Sequence, residues 1–174
     1  MKVVFLDIDG VLNSEDEIKK AFGADLDDPD APSPVHLQWL KKILDETGAE
    51  VVLSSSWRIG LRSTQIVMDS LASIGYSLRG VTPEGVSVSF IEKSGFKPTR
   101  LFLETRGDTK YTLDRGAEIY AWLNKHPEVT NFVILDDEDT DIKGYFPDKL
   151  VKTSFAHGLL EEHAKKAVKI LNNL

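Results

Sequence analysis

Along the chain, short continuous apolar runs alternate with longer stretches whose apolar positions recur every three to four residues. Val3 to Ile8 is nearly all apolar, as expected of a strand buried on both faces. From Pro34 to Thr47 the spacing turns helical. Leu37, Leu40, Ile43 and Leu44 form one stripe, Ser33 is placed to cap it, Pro34 suits the first helical position and Gly48 ends it. Glu50 to Leu53 predicts a second buried strand. Ser63 to Ile74 predicts a helix with Ile66, Val67, Leu71 and Ile74 inward, closed by Gly75, and Tyr76 to Val81 a weaker strand. Asp114 is placed to cap a helix carrying Ile119, Trp122 and Leu123, which Pro127 stops. Asn131 to Leu135 is strongly β-prone, Lys149 to Thr153 predicts a fifth strand, and a last helix is expected over roughly Leu159 to Leu171.

This alternation predicts an α/β fold: a Rossmann-like parallel sheet of about five strands with helices on both faces. The 174 residues suit a single domain, 1–174, with a minimal cap or lid. Two stretches fit no core element. Residues 14–32 are acidic, contain Pro29 and Pro32, and read as a short flap insert. Residues 82–113 are long and mixed, with Pro83, Gly85, Gly95, Pro98 and Gly107. Loops of that length inside a domain are often functional, so this one reads as a lid or substrate loop. The alternation of Val86, Val88 and Phe90 predicts a hairpin within it, with disorder as the alternative.

Composition adds exclusions. Apolar residues make up 41% and charged residues 28%, as in ordinary globular chains. No apolar run is long enough to span a bilayer, so no membrane partner is expected. The apolar run before Asp7 is too short for a signal peptide, which favours a cytoplasmic location. With no cysteine, disulfides, thiolate chemistry and cysteine-bound zinc are excluded. The net charge of −7 argues against a broad basic nucleic-acid surface. That charge is uneven. Residues 1–30 are strongly acidic, whereas 93–115 hold Lys93, Lys97, Arg100, Arg106, Lys110 and Arg115 against Glu104, Asp108 and Asp114. Such clusters are commonly solvated surface.

In parallel sheets, ligands bind beyond the carboxyl ends of the strands. Here Leu6 leads into Asp7, Leu135 into Asp136, and Leu53 into Ser54-Ser55-Ser56. In Asp7-Ile8-Asp9-Gly10-Val11-Leu12-Asn13 the two carboxylates would diverge on a continuing strand. A turn after Asp7, which Gly10 permits, brings both to one site. Two acids near a phosphate repel it unless a cation neutralises them, and Mg²⁺ prefers such oxygen ligands. The second cluster, Asp136-Asp137-Glu138-Asp139-Thr140-Asp141, would let carboxylates from two strand ends share one ion. Either cluster alone also reads as a solvated turn. Together, each directly after a buried strand, they point to one site.

Asp7-x-Asp9-Gly10-Val11-Leu12 resembles the first signature of haloacid-dehalogenase-like (HAD) phosphatases. The resemblance implies that Asp7 is the nucleophile, forming an aspartyl-phosphate, and that Asp9 is the general acid and then the base. Val51-Val52-Leu53 running into serine is similar to the second signature, which binds phosphate through a hydroxyl. Ser54 and Ser55 both qualify, and the following Trp57-Arg58 favours Ser55. The third signature is a Lys or Arg at a helix start. Arg115 fits that context better than its rival Lys110. Asp136 and Asp137 match the fourth. The implied Mg²⁺ set is Asp7, the backbone carbonyl of Asp9, and Asp136, with Asp137 holding a water or orienting the site. Gly10, Ser54, Ser55 and Arg58 fall on the substrate side. The resemblance covers essentially the whole chain and implies a phosphomonoester hydrolase.

The gap after the first signature is too short for a full cap domain, which resembles capless members that act on large substrates. The Ser-Ser-Trp-Arg stretch, the Gly80-Val81-Thr82-Pro83 turn and Arg115 ahead of Glu118-Ile119 and Trp122-Leu123 look like small phosphatase domains associated with RNA repair. The expected partner is therefore a phosphorylated small molecule or a nucleic-acid end. A catalytically inactive binding module and a phospho-receiver domain are the alternatives. The receiver would need an acid near position 55, where serine stands. Arg58 reads equally as a grip for a second phosphate or as structural, and Trp57 as packing. His36, His126 and His163 read as surface residues. His157, just before Gly158, is also read as bland although it could approach the site. Nothing in the sequence points to an oligomeric state.

Overall fold

The computed structural model describes residues 1–23 and 31–173, with only the backbone of Arg100. Five strands form one parallel sheet: β1 (Lys2–Leu6), β2 (Glu50–Leu53), β3 (Leu78–Val81), β7 (Asn131–Asp136) and β8 (Leu150–Lys152), in the order β3-β2-β1-β7-β8. Helices α2 (Pro34–Thr47), α3 (Leu61–Ser73) and α6 (Glu161–Asn172) cover one face, and α5 (Arg115–Asn124) covers the other. The strand period of two explains the division. Val4 and Leu6 join Leu40, Leu71 and Leu171 in one core, while Val3 and Phe5 meet Ile119 and Trp122 in the other. This is the expected α/β, Rossmann-like sheet with helices on both faces. Among the described residues, no helix is long and apolar enough to cross a membrane.

Helix α2 begins and ends as its sequence predicts. Ser33 accepts a bond from the Val35 amide at 3.2 Å, and Gly48 closes the helix in a left-handed conformation. Helix α5 differs. Asp114 occupies the capping position, but its side chain turns elsewhere, and Asp141 accepts from the Arg115 amide instead at 2.8 Å. Part of the flap, α1 (Glu15–Gly23), is helical and docks its first amide on Phe155; residues 24–30 lie outside the described residues.

The 82–113 stretch is ordered, and the hairpin is not where the Val86-Val88-Phe90 alternation predicts it. Val86–Ser87 is a two-residue strand, β4, and Val88–Lys93 is a short helix, α4. The hairpin is formed by β5 (Leu103–Arg106) and β6 (Thr109–Thr112), and β6 also pairs with β4. Burial of Ile91 and of Phe96 against Tyr120 and Tyr145 overrides the local pattern.

Candidate active site

Parallel register builds the site. Leu6 lies opposite Leu53 on one side and Leu135 on the other, so Asp7, Ser54 and Asp136 emerge side by side. The chain then turns sharply. The amides of Val11, Leu12 and Asn13 all donate to the Ile8 carbonyl, and Gly10 adopts φ +70°. A β-carbon on Gly10 would lie 2.5 Å from Cγ of Asp137, so glycine is required both for the turn and for Asp137 to sit against it. Thr153 from beyond β8 donates to the Gly10 carbonyl at 2.6 Å and ties the turn down.

Asp7, Asp136 and Asp137 each bring a carboxylate oxygen within 4.8 Å of the others. Asp7 and Asp136 are buried, and Asp137 is half-buried. Burial pushes Asp7 up to about 6, against the pull of Arg115 and the Ser55 hydroxyl. Burial and then the Asp7 charge push Asp136 well up, and burial also raises Asp137. Three hard oxygen donors that are costly to ionise together fit a small hard cation such as Mg²⁺. The Asp9 carboxylate stands outside that trio. Asn13 Nδ2 donates to one of its oxygens at 2.9 Å and Trp57 Nε1 to the other at 3.1 Å, leaving its backbone carbonyl as the atom expected to meet a cation.

Arg115, first residue of α5, places Nε 3.7 Å from Asp136, and it lines the same cavity as Asp7. Lys110 lies on β6 in a separate cavity with Ser87, Glu92 and Asp108, so geometry favours Arg115 over its rival. Ser55 reaches Asp7 and accepts from the Trp57 amide at 3.3 Å, while the buried Ser54 hydroxyl has no partner among the described residues.

Arg58 requires correction. Its guanidinium points inward, donating to the carbonyls of Ser55 (2.7 Å), Thr82 (3.1 Å) and Pro83 (3.1 Å) and to Glu118 at 2.8 Å, with 6% of the side chain exposed. It braces the serine loop rather than gripping substrate. His36 also departs from its expectation. It is buried, with its ring nitrogens bonded to Leu159 O and Ser14 Oγ at 2.9 and 3.0 Å, beneath Gly158. His157 pairs with Asp16, and His126 stacks on Trp122. Arg106, one of the bases of 93–115, is engaged locally by Glu104 and the Glu84 carbonyl. Sequence reasoning missed the bonds from Trp57 and Asn13 to Asp9, and that from Arg58 to Glu118. All of these residues stood within quoted stretches, but nothing local marked which would pair with which.

A doubly covered parallel sheet, with one acid ending its central strand and an acid pair ending the next, defines a HAD-type domain. The family described as the HAD domain in Swiss Army Knife RNA repair proteins matches residues 3–164, and the chain belongs to that family. No curated protein and no solved structure matched the chain in the corresponding comparisons. Membership supports a HAD-type phosphatase in general terms, related to RNA repair.

The raised carboxylates set the sign of a pH effect. A carboxyl whose folded pKa lies above its unfolded value holds more protons folded than unfolded between the two. Its contribution to stability therefore grows as pH falls from about 6 toward 3.8. For Asp7 that amounts to about 3 kcal/mol. Metal-free protein is expected to gain more in urea midpoint between pH 7 and pH 5 than the Asp7→Asn variant does. Saturating Mg²⁺ should stabilise at pH 7 and do little at pH 5. An equal midpoint gain in both proteins would contradict this account.

Proposed function

We propose that this chain is a Mg²⁺-dependent phosphomonoester hydrolase working through an aspartyl-phosphate on Asp7, with nucleotides or nucleic-acid ends as substrates. The observation that carries the reading is the convergence of Asp7, Asp136 and Asp137 with Arg115 alongside, at the carboxyl ends of the central strands.

Bound to the carboxylates, Mg²⁺ would screen the repulsion between them and a phosphate and draw charge from the phosphoryl oxygens. An Asp7 oxygen bonds to phosphorus in line as the ester oxygen leaves, and Asp9 delivers a proton to that oxygen. Asp9 then takes a proton from water. The water oxygen bonds to phosphorus, the Asp7–phosphorus bond breaks, and free phosphate departs. Arg115 and Ser55 hold phosphoryl oxygens and stabilise the charge that spreads over them. Trp57 and Asn13 keep the Asp9 carboxylate aimed in both half-reactions.

Phosphate release should be measured with Mg²⁺ and with EDTA, from an aryl phosphate, nucleotides, and oligonucleotides phosphorylated at the 3′ or 5′ end. Release that EDTA abolishes and Mg²⁺ restores is expected. Folded protein that binds Mg²⁺ yet releases nothing would replace the hydrolase with a binding module on the same fold.

A further inference from the structure

The cavity that contains Asp7 and Arg115, of about 310 Å³, has walls of two kinds. Its floor is charged. Its rim carries Leu101 and Phe102, which leave 78% and 39% of their surfaces in water. These two adjacent apolar side chains stand beside the charged groups and are open to pack against a bound group.

Their backbone is firmly held. The Thr99 amide and hydroxyl both donate to the fully buried Asp114, which also accepts from the Tyr145 hydroxyl at 2.9 Å. The Leu113 amide donates to the Phe102 carbonyl at 2.8 Å, and Leu103 enters the hairpin opposite Thr112. Arg115 follows Asp114 directly, so one buried carboxylate fixes the apolar rim at a set distance from the phosphate-binding arginine. This explains why Asp114 sits at the start of α5 without capping it.

Chemistry narrows what the rim receives. Among the described lining residues Arg115 is the one cation, whereas Glu138 and Asp141 are acidic and Thr140 is neutral. Arg58 is committed to Glu118. An uncharged flat ring entering the cavity would meet Phe102. A cavity of this size lies at the small end for ligand sites, enough for a phosphate and one adjoining group.

We propose that Leu101 and Phe102 form a stacking wall for the leaving group of a monophosphate ester that carries a nucleobase-type ring. The wall rests on the phosphohydrolase reading for what occupies the floor. The ring may belong to a free nucleotide or to the terminal nucleotide of a chain, and both present the same stacked face.

The test compares kcat/KM for a nucleoside monophosphate, an oligonucleotide with a terminal phosphate, and ring-free glycerol phosphate, in wild type, Phe102→Ala and Phe102→Trp. Phe102→Ala should lower the preference for nucleotide over glycerol phosphate by about 10- to 100-fold, and Phe102→Trp should keep it. Dependence on Phe102 with the oligonucleotide alone would assign the wall to chain ends; dependence with both would assign it to any terminal nucleotide. An unchanged preference in Phe102→Ala would overturn the wall while leaving the hydrolase standing. Equilibrium binding separates the two readings. If wild type hydrolyses none of the three, yet binds the nucleoside monophosphate with Mg²⁺ more tightly than inorganic phosphate and loses that advantage in Phe102→Ala, the hydrolase falls and the wall remains.

Discussion

Asp7→Asn is expected to abolish turnover while making the metal-free protein more stable. The amide keeps the shape of the side chain but is far too weak a nucleophile to attack phosphorus, and it removes one of the three carboxylates that would hold a cation. Loss of the attacking group in enzymes of this kind lowers kcat by roughly 10³-fold or more. The stability gain comes from the same atoms. In wild type, burial raises the Asp7 carboxyl to about 6 beside Asp136, which burial and the Asp7 charge also raise, so ionising either one costs stability. A neutral amide removes both the desolvation cost and the repulsion, and Asp136 should ionise more readily. The variant should therefore show a higher denaturation midpoint than wild type in EDTA and a smaller gain on adding Mg²⁺. Phosphate release surviving in this variant would remove Asp7 from the nucleophile's role. A lower midpoint in EDTA would instead mean that Asp7 holds the fold together through its bond with Ser55.

Glu118→Ala is expected to be the most destabilising single change near the site. Glu118 has 3% of its side chain exposed, and burial pushes it up to about 6 against the attraction of Arg58. One of its oxygens receives Arg58 at 2.8 Å, and the other receives the Gly85 amide at 2.9 Å. Truncation leaves the buried Arg58 charge without its counter-ion and a half-buried Gly85 amide without its acceptor. Breaking such a pair from one side costs about 3–5 kcal/mol, a fall in Tm on the order of 10 °C for a domain of this size. The damage should reach catalysis, because Arg58 also holds the Ser55 carbonyl and the turn at Thr82 and Pro83. Replacing both partners with apolar residues, Arg58→Met with Glu118→Leu, should recover much of the stability, since neither charge is then left unpaired. The serine loop would still lack its brace, so activity should recover less than stability. Thermal melts and phosphate release on the three proteins check both halves. A single variant as stable as wild type would show that water reaches Arg58 and that the pair is not sealed.

The sheet, its order of elements and the carboxylates at its strand ends were all readable because each depends on local patterns. A continuous apolar run such as Val3 to Leu6, four residues long, is the pattern of a strand buried on both faces. An acid placed directly after such a run stands at a ligand-binding edge whatever the rest of the chain does. Asp7, Asp136 and Asp137 therefore came from the sequence, as did Gly10, whose positive φ a turn at that point demands.

What only the tertiary structure decided were the partners of long side chains and the form of segments with weak patterns. Arg58 reads equally as a grip or as a brace in the sequence, and it is turned inward by Glu118, which lies sixty positions on. Trp57 reads as packing, yet its indole N–H aims Asp9, and His36 reads as surface yet is sealed between Ser14 and Leu159. The 103–112 hairpin, the bond from the Arg115 amide to Asp141 that caps α5, and the Leu101–Phe102 rim held by Asp114 follow the same rule. Each depends on an atom brought close by the fold, and side-chain reach and burial, unlike strand and helix periodicity, leave no period in the sequence to read.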